Sequence, residues 1–206
     1  MNIIGYKKGG GGSHTPVEQT DNLHSTAYAR VLDLISEGEI VGPANGLQSI
    51  YLDETPLANP DGSLNFSGVS VDFRPGTQDQ EHIAGFPSVE NEIGVGIELT
   101  SKQPWIRAFS NLQLSAVRVR LSADGLSKAN TSNGDINGYR VEYAIDLSTD
   151  NGDYMTVLQT AFDGKTTSKY ERTHRIDLPR ATSGWSLRVR RLTANANSST
   201  TSDRTS

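Results

Sequence analysis

The chain has 206 residues, 34% hydrophobic and 21% charged, with a formal net charge of −5 and no cysteine. Its length suits one large or two small domains, and it has no apolar run of the ~18 residues that a membrane-spanning helix needs. The missing cysteine excludes disulfides and Cys-ligated metal sites within it, and the acidic balance speaks against wholesale nucleic-acid binding, which leans on Lys and Arg.

Residues 1–13 are Gly-rich, carry Lys7 and Lys8, and read GGGGS from Gly9 to Ser13. That is a flexible tail, or a basic arm that orders on a partner. It lacks the apolar stretch of a secretory leader and the Gly-Lys-Ser/Thr ending of a phosphate loop. With no sign of secretion, Asn130-Thr131-Ser132 is expected to carry no glycan.

From Asp21 to Gly46, apolar residues recur at Leu23, Ala27, Tyr28, Val31, Leu34 and Ile35. That spacing is one face of a 3.6-residue period, so it predicts an amphipathic helix. Asn22 or Ser25 would cap its start and Gly38 would close its end. The face is expected to be buried under the strands that follow, so Val31→Asp or Leu34→Asp would destabilise it. Strands are expected at Ile40-Val41, Leu47–Leu52 and Val69–Phe73, with a turn at Asn59-Pro60-Asp61-Gly62.

Thr77 to Glu92 is polar and aperiodic. From Ile93 the pattern turns to alternation: Ile93, Val95, Ile97 and Leu99, then Trp105 to Phe109, then Val117, Val119 and Leu121 between arginines. A long polar loop covers Ala123 to Gly138. Strands follow at Tyr139–Ile145, Met155–Leu158, within Lys165–Leu178, and at Trp185–Val189, with a hairpin turn at Asn151-Gly152. Six or seven short strands over about 100 residues is the pattern of an immunoglobulin- or fibronectin-like sandwich. The fold class expected is therefore mainly β (α+β): a small helix-plus-strands unit followed by that sandwich.

Few residues suggest chemistry. His14, His24, His82 and His174 stand at no metal-ligand spacing. Asp146, Asp150 and Asp153 lack the calcium-loop pattern and read as turn formers. There is no Gly-x-Ser-x-Gly elbow. Asp33 and Glu37 share a helix face as solvating carboxylates. Arg188, Arg190 and Arg191 with Lys169, Arg172 and Arg175 would form a basic stripe only if their strands adjoin; an outward strand face is the plainer reading. No enzyme activity and no cofactor are expected.

The order of the motifs says more. His14-Thr15-Pro16, Asp21-Asn22-Leu23, Ser25-Thr26, Ile35-Ser36-Glu37-Gly38, Gly42-Pro43, Gly46-Leu47, Thr55-Pro56, Gly68-Val69, Phe73-Arg74, Gly76, Gln78 and Gln80 follow one another. Near the end stand Lys165-Thr166-Thr167-Ser168, Tyr170 and Arg188-Val189-Arg190-Arg191-Leu192-Thr193. This series resembles the start of the tail tip attachment protein J family of lambda-like phages, also called host specificity protein J. The match is dense from His14 to about Gln80 and sparse from Ile93 to Arg180.

The resemblance implies a virion component at the distal end of a phage tail, made in the host cytoplasm and built as a homotrimeric hub. Its partners would be other tail-tip and tail-tube proteins and copies of itself. The outer-membrane receptor would be met only through regions absent from this chain, and no direct nucleic-acid or membrane binding is expected. Family members are several times longer, so the chain looks like an N-terminal part or a truncated prophage remnant. The organisation expected is a flexible tail at 1–13, a tail-hub unit at 14–76, a linker at 77–92, a sandwich at 93–193 inserted in the hub unit, and a polar tail or loop at 194–206. Candidate assembly-interface residues are Tyr28, Val31, Asp33, Glu37 and Arg74. The alternative is a carbohydrate-binding β-sandwich that presents Trp105, Tyr139 or Trp185 to the host surface, although both Trp residues sit in core-like alternation.

Overall fold

Period-two alternation from Ala116 onward builds most of the ordered structure, because it gives each strand one apolar face to bury. The computed structural model describes residues 14–83, 86 and 91–206; the Gly-rich 1–13 lies outside them. The strands are β1 (Tyr51–Leu52), β2 (Thr55–Pro56), β3 (Trp105–Phe109), β4 (Ala116–Ala123), β5 (Ser127–Ala129) and β6 (Ile136–Asn137). They continue with β7 (Tyr139–Thr149), β8 (Met155–Gly164), β9 (Tyr170–Asp177), β10 (Trp185–Arg191) and β11 (Thr201–Ser202).

Two antiparallel sheets make the sandwich. One has the order β3-β10-β7-β8 and the other pairs β4 with β9. Val141, Tyr143, Ile145 and Leu147 of β7 and Trp185, Leu187 and Val189 of β10 turn inward, where they meet Leu121 and Ala123 of β4 and Tyr170 and Ile176 of β9. Phe162 of β8 bridges the layers, 5.0 Å from the Tyr143 ring and 5.5 Å edge-on from Tyr170. The register shifts between Ile145 and Asp146, which leaves Val157 as the extra residue of a bulge on β8. The Asp150-Asn151-Gly152 turn follows β7, with positive φ at Asp150 and Asn151. The molecule is thus mostly β, with a fibronectin-like sandwich as expected.

The stretch read as one polar loop conceals β5 and β6, and residues 194–206 are not a frayed end. Strand β11 pairs with β5, while Ser122 and Ser206 exchange backbone hydrogen bonds of 2.7 and 2.9 Å. The Leu99 amide donates to the Thr205 carbonyl at 2.8 Å. Leu99 is the one residue of the Ile93–Leu99 alternation that is buried; no strand forms there.

The expected helix is absent: from Asp21 to Asn45 the backbone is irregular, and among the described residues the one helical element is a 3₁₀ turn at Gly46–Ser49. Two causes act. Residues at the intended start are taken by the sandwich, since the Asn22 and Leu23 amides both donate to the Lys165 carbonyl. The rest would make only a short helix, with its apolar face left in solvent, and such helices are marginal in water. Tyr28 (83%), Val31 (76%) and Leu34 (87%) are accordingly exposed, against the burial the periodicity suggested.

The chain separates into two units. Described residues up to Ala27 cluster with Gly94–Ser206, and Tyr28–Ile93 forms the other unit. In the second unit, β1 and β2 form a tight hairpin that turns at Asp53 and Glu54. Leu57 and Ala58 are buried, and Asn59, Asp61, Ser63 and Asn65 tie the next turn together. The predicted strands at Ile40-Val41 and Val69–Phe73 do not form. Leu47, Leu57, Leu64, Phe66, Val69 and Val71 line a small apolar pocket instead.

Candidate assembly surfaces

The five candidate interface residues all fall in the Tyr28–Ile93 unit. Tyr28, Val31, Asp33 and Glu37 are exposed on the irregular segment, so no helix aligns them on one face. Arg74 is half-buried, and its guanidinium donates to the carbonyls of Glu81 (2.8 Å) and Phe73 (2.9 Å). With Leu32, Ile35 and Val41 also open to solvent, the segment Tyr28–Val41 is a run of exposed apolar side chains. Apolar surface of that kind belongs to interaction sites more than to the free face of a soluble monomer.

The basic residues form no stripe. Strands β9 and β10 lie in different sheets, and each arginine is used locally. Arg188 and Arg190 close over Asp146, whose side chain is 0% exposed, through bonds of 2.8 and 2.6 Å to Oδ2. The hydrogen bond from Arg190 first, then those from Thr156 and Arg188, hold the Asp146 carboxyl well below the usual carboxylate range against the opposing effect of burial. Tyr154 lies 4.2 Å beneath the Arg188 guanidinium and shares a 2.7 Å hydrogen bond with Ser186. Asp146 is thus no turn former; it sits inside β7. Asp150 is one: its carboxylate accepts from the amides of Thr182, Ser183 and Gly184, which pulls its pKa down to about 2. Arg191 points into the molecule, ion-paired with Asp203 and donating to the Asp203 carbonyl at 2.6 Å. Arg172 donates to the Ala161 carbonyl and stands over the Phe162 and Tyr170 rings.

The aromatic residues needed for a sugar platform are spent in packing. Trp185 is buried and donates its indole N–H to the Pro179 carbonyl at 2.9 Å; Trp105 and Tyr139 are half-buried against the same core. Among the described residues, no group of three or more His, Asp or Glu stands close enough to hold a metal ion.

One histidine is built into the sandwich. The Tyr143 hydroxyl and His174 Nε2 are 2.7 Å apart. Burial first, and the Arg172 charge second, push the His174 pKa down. A group that resists protonation when folded costs stability once the unfolded chain binds its proton, so stability falls as pH drops below the unfolded value of about 6.5. Thermal melting from about pH 7.5 to about pH 5.5 should therefore show a loss that His174→Gln reduces; equal losses in both proteins would refute it.

Sequence reading missed the partnership between Asp21-Asn22-Leu23 and Lys165-Thr166-Thr167. Both stretches belong to the motif series, yet nothing in their spacing places them together. In the structure, the Lys165 ammonium lies 2.7 Å from Asp21 and 2.8 Å from Glu18, and the Asn22 side-chain oxygen accepts from the Lys165 amide at 2.7 Å.

The family model described as the FNIII-A domain of tip attachment protein J matches residues 89–206. Tip attachment protein J of Escherichia phage SECphi4 is 45% identical over 200 residues, which is 95% of this chain and 17% of that protein. The protein of the same name from Escherichia phage SECphi27 is 40% identical over 202 residues, 98% of this chain and again 17% of the relative. The chain thus spans 17% of the length of the curated relatives it matches. The domain match covers the strands β3 to β11, and with the sandwich seen in the structure it shows that the chain belongs to the tip attachment protein J family and carries that family's FNIII-A domain.

Proposed function

We propose that this chain is a structural, non-enzymatic part of a phage tail tip attachment protein. In the virion it helps assemble the distal tail hub that carries the host-receptor-binding region during adsorption and DNA entry. Its partners are other tail-tip and tail-tube proteins and further copies of itself, in a trimeric ring whose heterologous contacts close. The observation that carries this reading is the family membership. The exposed run Tyr28, Val31, Leu34 and Ile35 supports it, because a ring contact would cover such a surface. Tyr28, Val31, Asp33, Glu37 and Arg74 are the residues proposed for that contact, and the segment gains its helical period when a partner covers it.

The carbohydrate-binding alternative loses its best platform, since Trp185 is buried and Trp105 is half-buried. The two readings part in one experiment. Full-length tip attachment protein carrying Val31→Asp with Leu34→Asp is expected to reach fewer tails, while the isolated chain leaves phage adsorption to cells unaffected. Normal incorporation, together with an isolated chain that blocks adsorption, would replace assembly with host-surface binding.

A further inference from the structure

The segment His14–Ser25 lies along one rim of the sandwich, held at residues 135–138 and 165–171. It pairs there as a strand would: Glu18 bridges Ile136 in parallel, the Gln19 amide donates to the Ile136 carbonyl at 2.8 Å, and the Ile136 amide donates to the Val17 carbonyl at 3.0 Å. Its polar side chains also accept from amides of the sandwich. Gln19 accepts from Gly138 at 2.8 Å, Asp21 from Thr167 at 2.8 Å, and Ser25 from Glu171 at 2.8 Å. Asp135 reaches back, accepting from the Val17 amide at 2.8 Å. Leu23 packs against the sandwich core.

Two features mark the rim as shaped for this segment. The first is Lys165, whose side chain is 2% exposed and whose charge faces Asp21 and Glu18 from the segment. An ammonium covered to that extent needs a counter-charge, and the same segment that covers it supplies two. The second is glycine at two close approaches of the segment. A Cβ on Gly164 would stand 2.3 Å from the Asn22 side-chain oxygen, and one on Gly134 would stand 2.8 Å from the Pro16 ring. Both glycines have positive φ, so the backbone conformation and the close approach ask for the same residue.

We propose that this rim is a peptide-acceptor site of the FNIII-A sandwich, matched to an extended acidic segment reading Glu-x-x-Asp-Asn-Leu, and that its occupant is the chain's own His14–Ser25. The domain is then discontinuous: it needs a latch from upstream of residue 89, where the family match begins. The latch is held by side chains and backbone pairing, with no covalent link other than the chain itself. This holds whatever the chain's role in the tail tip.

The test uses the full chain with a protease recognition sequence placed in the exposed Tyr28–Ile35 stretch. After cutting under native conditions, the N-terminal fragment should co-elute with the remainder. Lys165→Met should release it, and so should Asp21→Asn. Amide exchange at Tyr143 and Val189 reports whether the sandwich is still folded in each variant; if Lys165→Met loses that protection, Asp21→Asn supplies the comparison. Release of the wild-type fragment while Tyr143 and Val189 stay protected would overturn the proposal. So would a zero-length Asp21–Lys165 cross-link that joins isotope-labelled to unlabelled uncut chains, because the occupant would then be a second copy's segment.

Discussion

Replacing Arg191 with methionine should cost the sandwich about 3–5 kcal/mol, the range for breaking a buried ion pair from one side. The arginine ends β10, and its side chain is 0% exposed. It is the hub of the C-terminal segment: its guanidinium pairs with the Asp203 carboxylate and donates to the carbonyls of Thr193 (2.8 Å) and Asp203 (2.6 Å). The Asp203 carboxylate in turn accepts from the Ala196 amide at 2.9 Å. Methionine fills similar volume but leaves an acid and two carbonyls without their donor. The urea midpoint should fall at an unchanged slope, and the amides of Leu99 and Ser122, bonded to Thr205 and Ser206, should exchange faster. Adding Asp203→Leu should recover part of the loss, since no charge is then stranded. An unmoved midpoint would mean that residues 194–206 lie outside the cooperative unit.

That arginine also shows what the sequence made legible. Trp185, Leu187 and Val189 alternate inward, and the same parity carries one step further to Arg191. A charged residue on the buried phase of a strand demands a partner, although spacing cannot say that Asp203 supplies it. The strands of the sandwich were readable for the same reason. Val117, Val119 and Leu121 between arginines, and Tyr139 to Ile145, each show period two over enough residues to outweigh chance. Strands β5 and β6 are hidden because they are two or three residues long, too short to show a period; their identity comes from the segments that pair with them. The helix failed in the opposite way. Its period is clear from Leu23 to Ile35, but a period states only which face would be buried if a surface were there. In this chain the start of that stretch is held by Lys165 and the rest meets solvent. Of the candidate interface, the residue types could be named from the sequence, while their common placement on one face rested on that helix. The contact between Asp21 and Lys165 spans 144 positions, a separation on which no local pattern bears.

Asp146→Leu should destabilise the sandwich by about 2–4 kcal/mol at neutral pH, less than the full cost of breaking a buried pair because Arg188 and Arg190 keep contact with water. Asp146 faces outward from β7, yet its side chain is fully covered by the two arginines of β10 and by Thr156 of β8, whose hydroxyl donates to it at 2.7 Å. One carboxylate thus binds three strands of the same sheet together, at the place where the register shifts. The effect carries a pH signature. The folded carboxyl is held well below its unfolded value, chiefly by Arg190, so its contribution is complete above about pH 4 and drains away as pH falls further. Wild type and variant should therefore differ most near neutrality and converge on acidification, with Asp146→Asn lying between them because it keeps an acceptor but no charge. Chemical denaturation at about pH 7 and about pH 3 measures that gap directly. A gap of equal size at both values would locate the loss in altered packing around the Leu side chain and not in the ion pairs.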